Sequence, residues 1–222
     1  MMLLFLPSCR DNGPGDNPVA GETVLQLKTP SGVDFDWKAA PNALVNGASC
    51  KITLSEGSPA IGVEASSAGE YEIIIPAEAY SRARKCFVLP PAQIPSASGA
   101  ADPRFFPMHV RTDASGEVCL EPLVGIVKIN VKGSGRLMSA YLSAPSLSGT
   151  FGFDGESLSA DSSYPLCPFT VVNAAGNGSG LETSGLYAAV PPGNYSDGIT
   201  VRVTDNNHHV GYASVGAREI KA

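Results

Sequence analysis

Apolar and polar residues alternate with period two along this chain, in short runs that stop at Gly, Pro, Asn or Asp. Val24, Leu25 and Leu27 open the series, and VDFDW at 33–37 alternates apolar with acidic residues as a half-buried strand does. CKITL at 50–54 alternates again, and YEIII at 71–75 is a β-branched run closed by Pro76, which has no N–H to give to a ladder. AEAY at 77–80 predicts one helical turn, FVL at 87–89 a short extended piece, and 103–110 an apolar stretch between prolines. The clearest strand lies at 123–132, where Val127, Ile129 and Val131 face one way and Lys128, Asn130 and Lys132 the other. Gly133, Ser134 and Gly135 turn the chain, 137–142 returns, and 147–153 alternates up to the hairpin-type turn Asp154-Gly155. YAAV at 187–190 stops at Pro191. Ile199, Val201 and Val203 alternate with Thr200, Arg202 and Thr204, turn at 205–207 and pair with 210–214 as a β-hairpin.

No long helical period interrupts these strands, so the fold expected is all-β, with two tandem Ig-like β-sandwich domains. A run almost without apolar residues at 10–22, RDNGPGDNPVAGE, reads as a linker, because it cannot bury enough surface to offset the entropy of ordering it. The domains then fall at 23–118 and 119–222. Composition agrees: 222 residues with 43% hydrophobic content can fill cores, while 24 Gly, 18 Pro and only 16% charged residues suit strands joined by tight turns. A net charge of -6 argues against a nucleic-acid partner, since phosphate contacts need clustered Lys and Arg. The one basic cluster, Arg82 to Lys85, reads as a solvated loop.

Residues 1–9 combine an apolar burst with a cysteine. MMLLFLP is too short to span a bilayer, which takes about 20 apolar residues. Leu6-Pro7-Ser8-Cys9 resembles a bacterial lipobox, in which a cysteine is lipidated on sulfur and becomes the mature N-terminus. On that reading 1–9 is a truncated lipoprotein signal, Cys9 the lipidation site and 10–22 a tether. A start assigned too far downstream accounts for the absence of Lys or Arg before the apolar run. With Cys9 set aside, Cys50, Cys86, Cys119 and Cys167 either form two disulfides or remain buried thiols. Their spacing fits no zinc signature.

Catalytic and cofactor patterns are missing. His208 and His209 sit together in a turn, where neighbouring side chains diverge, and His109 has no Cys partner indicated in sequence. Asp34 and Asp36 read as the wet face of a strand. GNGSG at 176–180 lacks the strand-to-helix setting and the Lys of a phosphate loop. The expectation is a protein that is not an enzyme and has no cofactor or metal site. The competing class is a glycan- or protein-binding module, for which Trp37, Tyr141, Tyr187, Tyr195 and Tyr212 supply aromatics, although Trp37 suits a core better.

EPLVGIVKINVKGSGRLMSAYLSAPSLSGTFGFDG at 121–155, AAVPPGNYSDGITVRVTDNN at 188–207 and FVLPPAQIPSASGAADPRFFPMHV at 87–110 resemble, in their order, the fimbrillin-like family of Bacteroidales, pilin-like surface lipoproteins. The resemblance implies two transthyretin-like sandwiches in tandem, a lipid-modified precursor, location at the outer membrane surface or in fimbriae, and assembly by strand donation with other fimbrial subunits. It also implies adhesion to a host or bacterial ligand, which stays unidentified. In that family an arginine after the lipidated cysteine marks the processing cut, yet no arginine occurs between Arg10 and Arg82 here. Residues after the last hairpin leave little spare strand to donate. The role expected is therefore an accessory, anchor or tip subunit.

Overall fold

In the computed structural model the regular structure of the described residues is strand, apart from three short 3₁₀ turns. The structure describes residues 22–64, 69–96, 99–113, 116–131, 135–160, 163, 166–173, 181–182 and 186–221. The expected signal segment 1–9, Cys9 and all but the last residue of the linker at 10–22 lie outside them, as do Gly133, Ser134 and the glycine-rich 176–180. The first half carries β1 (Glu22–Lys28), β2 (Asn42–Val45), β3 (Ala48–Lys51), β4 (Thr53–Ser55), β5 (Ser58–Glu64), β6 (Tyr71–Ile75), β7 (Tyr80–Ser81), β8 (Cys86–Leu89), β9 (Ala92–Gln93), β10 (Met108–Thr112), β11 (Glu117–Cys119) and β12 (Glu121–Pro122). The second carries β13 (Gly125–Ile129), β14 (Arg136–Phe153), β15 (Leu158–Ala160), β16 (Leu166–Asn173), β17 (Leu181–Glu182), β18 (Leu186–Val190), β19 (Gly193–Tyr195), β20 (Ile199–Asp205), β21 (Val210–Val215) and β22 (Arg218–Ile220). Short 3₁₀ turns occur at Trp37–Ala39, Ala77–Ala79 and Pro103–Phe105, the second where the sequence predicts a helical turn.

In the first sandwich, a sheet ordered β11-β1-β5-β4 packs on one ordered β12-β10-β6-β2-β3. Leu25, Ile61 and Val118 meet Val45, Ile73, Ile75 and Met108 in the core between them. The run expected at 50–54 is two strands. Its chain leaves one sheet after Lys51 and enters the other at Thr53, with Ile52 buried at the crossover. VDFDW at 33–37 is not a strand. Residues 34–36 meet the rest of the fold through backbone bonds to Ala101, and Asp36 Oδ1 then accepts from Lys38 N at 3.1 Å, capping the turn that buries Trp37. A side chain that competes for backbone N–H groups ends extended structure here.

The second sandwich is built on a nine-stranded sheet whose main order is β21-β20-β14-β16-β9, with β13-β18 as its opposing layer. The two pieces predicted at 137–142 and 147–153 are one strand of 18 residues, β14, whose register with β16 shifts between Ser143 and Ser148. Like β2 and β5 in the first half, β16 is an element the pattern misses. Pro168 interrupts it, and the structure places Pro168 at that register shift, between Cys167 and Phe169, where a missing N–H costs no ladder bond. At the C-terminal side, Arg218–Ile220 pairs with β19 instead of trailing free, and Ile220 packs where Gly125 has no side chain.

Strands from the first half complete the second sandwich. β8 pairs with β14 and β9 runs parallel to β16. A third core forms at this seam from Ile74, Phe87, Phe106, Leu123, Phe151, Phe153 and Ala189. Because Ile73 and Ile75 point into the first core while Ile74 points into the seam, the YEIII run is apolar on both faces. Gln93, 2% exposed, clamps the layers: its Nε2 donates to Thr170 Oγ1 at 3.1 Å and to Ala189 O at 3.0 Å, and its Oε1 accepts from Ala189 N at 2.9 Å. Cys86, Cys119 and Cys167 are free thiols, so none of the pairings possible among Cys50, Cys86, Cys119 and Cys167 forms.

Candidate binding surface

Sheet edges differ here in how they are protected. β3 ends on Lys51, β4 and β11 have three residues each, β12 has two and carries Pro122, and β9 has two. These are the usual ways of blunting an edge. β21 has none of them: VGYASV is six residues with no charge and no proline, and its partner among the described residues is β20 alone. Asp205 N donates to His209 O, and the register runs from there as Val203↔Gly211, Val201↔Ala213 and Ile199↔Val215. The antiparallel alternation therefore turns the N–H and C=O of Val210, Tyr212 and Ser214 toward the open side. Tyr212 is 74% and Val210 48% exposed. Ala213, on the opposite face, is exposed too, so the hairpin reaches past the core on both sides.

Inward positions of β14, β16 and β20 are filled by Ala140, Leu142, Val172, Ile199 and Val201. The alternate positions form the outer face, and four of them line up across four neighbouring strands. Tyr212 stands opposite Arg202, the Arg202 guanidinium carbon lies 5.2 Å from the centre of the Tyr141 ring, and Tyr141 stacks on Phe169 at 5.6 Å with 18° between planes. The period-two reading of 199–204 placed Arg202 outward; it could not place it over Tyr141, which is 61 positions away.

A second polar group lies at the seam. Arg111 donates to Glu72 Oε1 from Nε at 3.1 Å and from a terminal nitrogen at 2.8 Å. His109 Nε2 lies 3.4 Å from the same oxygen without the alignment of a hydrogen bond, and its ring meets Phe153 edge-on at 5.1 Å. Burial lowers the His109 pKa, outweighing the nearby Glu72 carboxylate that raises it. For Glu72 burial pushes upward, yet the Arg111 hydrogen bonds and charge prevail and the net shift is downward. An open groove of about 610 Å³ beside them is lined by His109, Arg111, Glu121, Glu156, Val110, Pro122, Leu123 and Gly155. That lining brings two carboxylates, an imidazole and a guanidinium to one groove.

The aromatics proposed from sequence separate by burial. Trp37 is 6% and Tyr195 3% exposed, both in cores, and Tyr195 donates from its hydroxyl to Pro191 O at 2.9 Å. Tyr187 carries the Lys128 ammonium 5.3 Å above its ring, away from the other row. Tyr141 and Tyr212 share one face. His208 and His209 lie exposed in the β20–β21 turn, where His209 Nδ1 meets Asp205 Oδ2 at 2.9 Å. Arg82 reaches Gly47 O from an exposed turn. Among the described residues no helix is long and apolar enough to cross a membrane.

No protein-family model matches the chain, and no curated protein matches it. Solved structures do. The crystal structure of a proposed cell adhesion protein from Bacteroides uniformis ATCC 8492 is similar with a TM-score of 0.55 at 10% identity, over 90% of this chain and 90% of that one. A second, of a proposed cell adhesion protein from Bacteroides ovatus ATCC 8483, has a TM-score of 0.47 at 9% identity, over 89% of this chain and 87% of that one. At such identity the first likeness speaks for the fold: the arrangement of paired sheets extends over nearly the whole chain.

Proposed function

We propose that this chain is a non-enzymatic surface protein of adhesive type, anchored through lipid on Cys9 and joined to other fimbrial subunits, as an accessory, anchor or tip component, by a strand added at β21. The observation that carries the reading is the open edge itself. Three residues turn six backbone groups outward on a strand that carries neither charge nor proline, while the edges at β3, β4, β9, β11 and β12 are blunted. An extended segment laid there gains main-chain hydrogen bonds to Val210, Tyr212 and Ser214 and leaves the outer face of the sheet open. The fold likeness to a proposed cell adhesion protein supports the adhesive part.

Ser214→Pro tests the assembly step, because it removes an outward N–H without breaking a bond to β20. Gel filtration and electron microscopy of protein taken from the native membrane should show joined subunits for the parent and for Ser214→Ala, and separated ones for Ser214→Pro. Equal assembly by Ser214→Pro rules out this edge. Mass spectrometry of the mature N-terminus tests the anchor: diacylglycerol on the Cys9 sulfur is expected, and a bare or disulfide-linked sulfur refutes it.

A further inference from the structure

We infer that the Tyr212–Arg202–Tyr141–Phe169 row on the outer face of the second sandwich is a binding site for an acidic glycan, a saccharide bearing carboxylate groups. The inference deepens the adhesive reading above and rests on it. Three observations carry it. First, the row is a continuous planar surface from four adjacent strands, with Tyr212 74% exposed, and aromatic rings offer their faces to the C–H faces of pyranoses. Second, Arg202 is held over the Tyr141 ring by a cation–π contact. Among the described residues no carboxylate is bonded to it, so its N–H groups are left for a bidentate acid. Third, the sign of the surface is selective. The chain carries 21 acidic residues, yet the outward positions 139, 141 and 143, 169, 171 and 173, 200, 202 and 204, and 210, 212 and 214 include no Asp or Glu.

Ser139, Ser143, Thr200 and Thr204 flank the row and supply hydroxyls to sugar oxygens. The occupant this arrangement fits has flat, C–H-rich rings, many hydroxyls and at least one carboxylate. A neutral glycan leaves the guanidinium without its acid.

Isothermal titration of the full chain with hexagalacturonate, with sialyllactose and with neutral cellohexaose tests the proposal and separates a plant-wall from an animal-surface source. One of the two acidic probes should bind at least about tenfold more tightly than cellohexaose, and Arg202→Gln should remove that preference. Tyr212→Ala, at a position too exposed to affect folding, should weaken binding of the same probe by about tenfold, while Arg202→Lys should recover only part of the loss. Equal affinity for cellohexaose, no binding of either acid, or binding unchanged in both Arg202→Gln and Tyr212→Ala would each overturn the site. If instead these two variants abolish joining of subunits without affecting glycans, the row is a protein contact. Ser214→Pro keeps the two readings apart: it should leave glycan binding intact, and failure of the glycan titration with assembly preserved leaves the edge proposal standing.

Discussion

Phe87→Ala should loosen both sandwiches at once. Phe87 is fully buried, comes from the first half of the chain, pairs through its backbone with Phe151 of β14, and packs its ring on Tyr80 at 4.9 Å and on Phe153 at 5.5 Å. Truncation removes the transfer energy of a whole ring and leaves a hole walled by Ile74 from the first sandwich and Phe153 from the second. Core Phe→Ala changes cost about 3–5 kcal/mol. With a urea slope near 2.5 kcal/mol/M for a chain of this size, the midpoint should fall by about 1.5 M. Trp37, the single tryptophan, sits in the first core, outside the seam, so its fluorescence reports that sandwich while far-ultraviolet dichroism reports both. In the parent the two transitions should coincide, because the seam core makes either sandwich depend on the other. In Phe87→Ala the midpoints should drop and part. A loss under about 1 kcal/mol, or a Trp37 transition that separates from the dichroism in the parent already, would refute the view that β8 fastens the two halves.

Gln93→Leu leaves both the N–H and the C=O of Ala189 buried without their partner, at about 1–3 kcal/mol for each group, and hydrogen exchange at Ala189 should accelerate by orders of magnitude. Gly198 has φ +78°, and an added Cβ would run into the carbonyl oxygen of Val215, so Gly198→Ala should destabilise by about 1–3 kcal/mol in thermal melts while Gly57→Ala, with open space around it, costs less. The seam makes stability pH-dependent. Burial holds the folded His109 pKa below the ordinary 6.5, so unfolding takes up a proton: the stabilisation is complete above pH 6.5 and is lost as pH falls below it, and His109→Gln should flatten the urea midpoint between pH 7.5 and 5.5. Glu72, held below its ordinary 4.5, adds a second loss as pH falls beneath that value, which Glu72→Gln should abolish.

Much of the architecture is legible in the sequence because strand chemistry is local. The alternation at 199–204 and 210–214, the turn residues between them and the β-branched 71–75 run each point to extended structure without reference to anything distant. Two of the misreadings share one cause. Asp36 turns a strand-like 33–37 into a capped turn by bonding its own backbone, and Pro168 masks β16 because the register shift that tolerates it lies in another strand. The candidate surface was half visible. Tyr141 and Tyr212 are in the list of aromatics that the sequence offers, but so are Trp37 and Tyr195, and which of these face water depends on which sheet each strand joins.

The amino-acid order alone determined that the chain makes short two-faced strands, that it is all-β, and that its overall charge is negative, since these follow from side-chain periodicity, turn chemistry and counting. Only the tertiary structure decided that β8 and β9 cross into the second sandwich, that Arg202 lies over Tyr141, and that β21 is left as the unguarded edge. Strand pairing joins residues far apart in sequence through backbone groups that every residue carries, so the partners are chosen by how whole faces pack and not by any local signal.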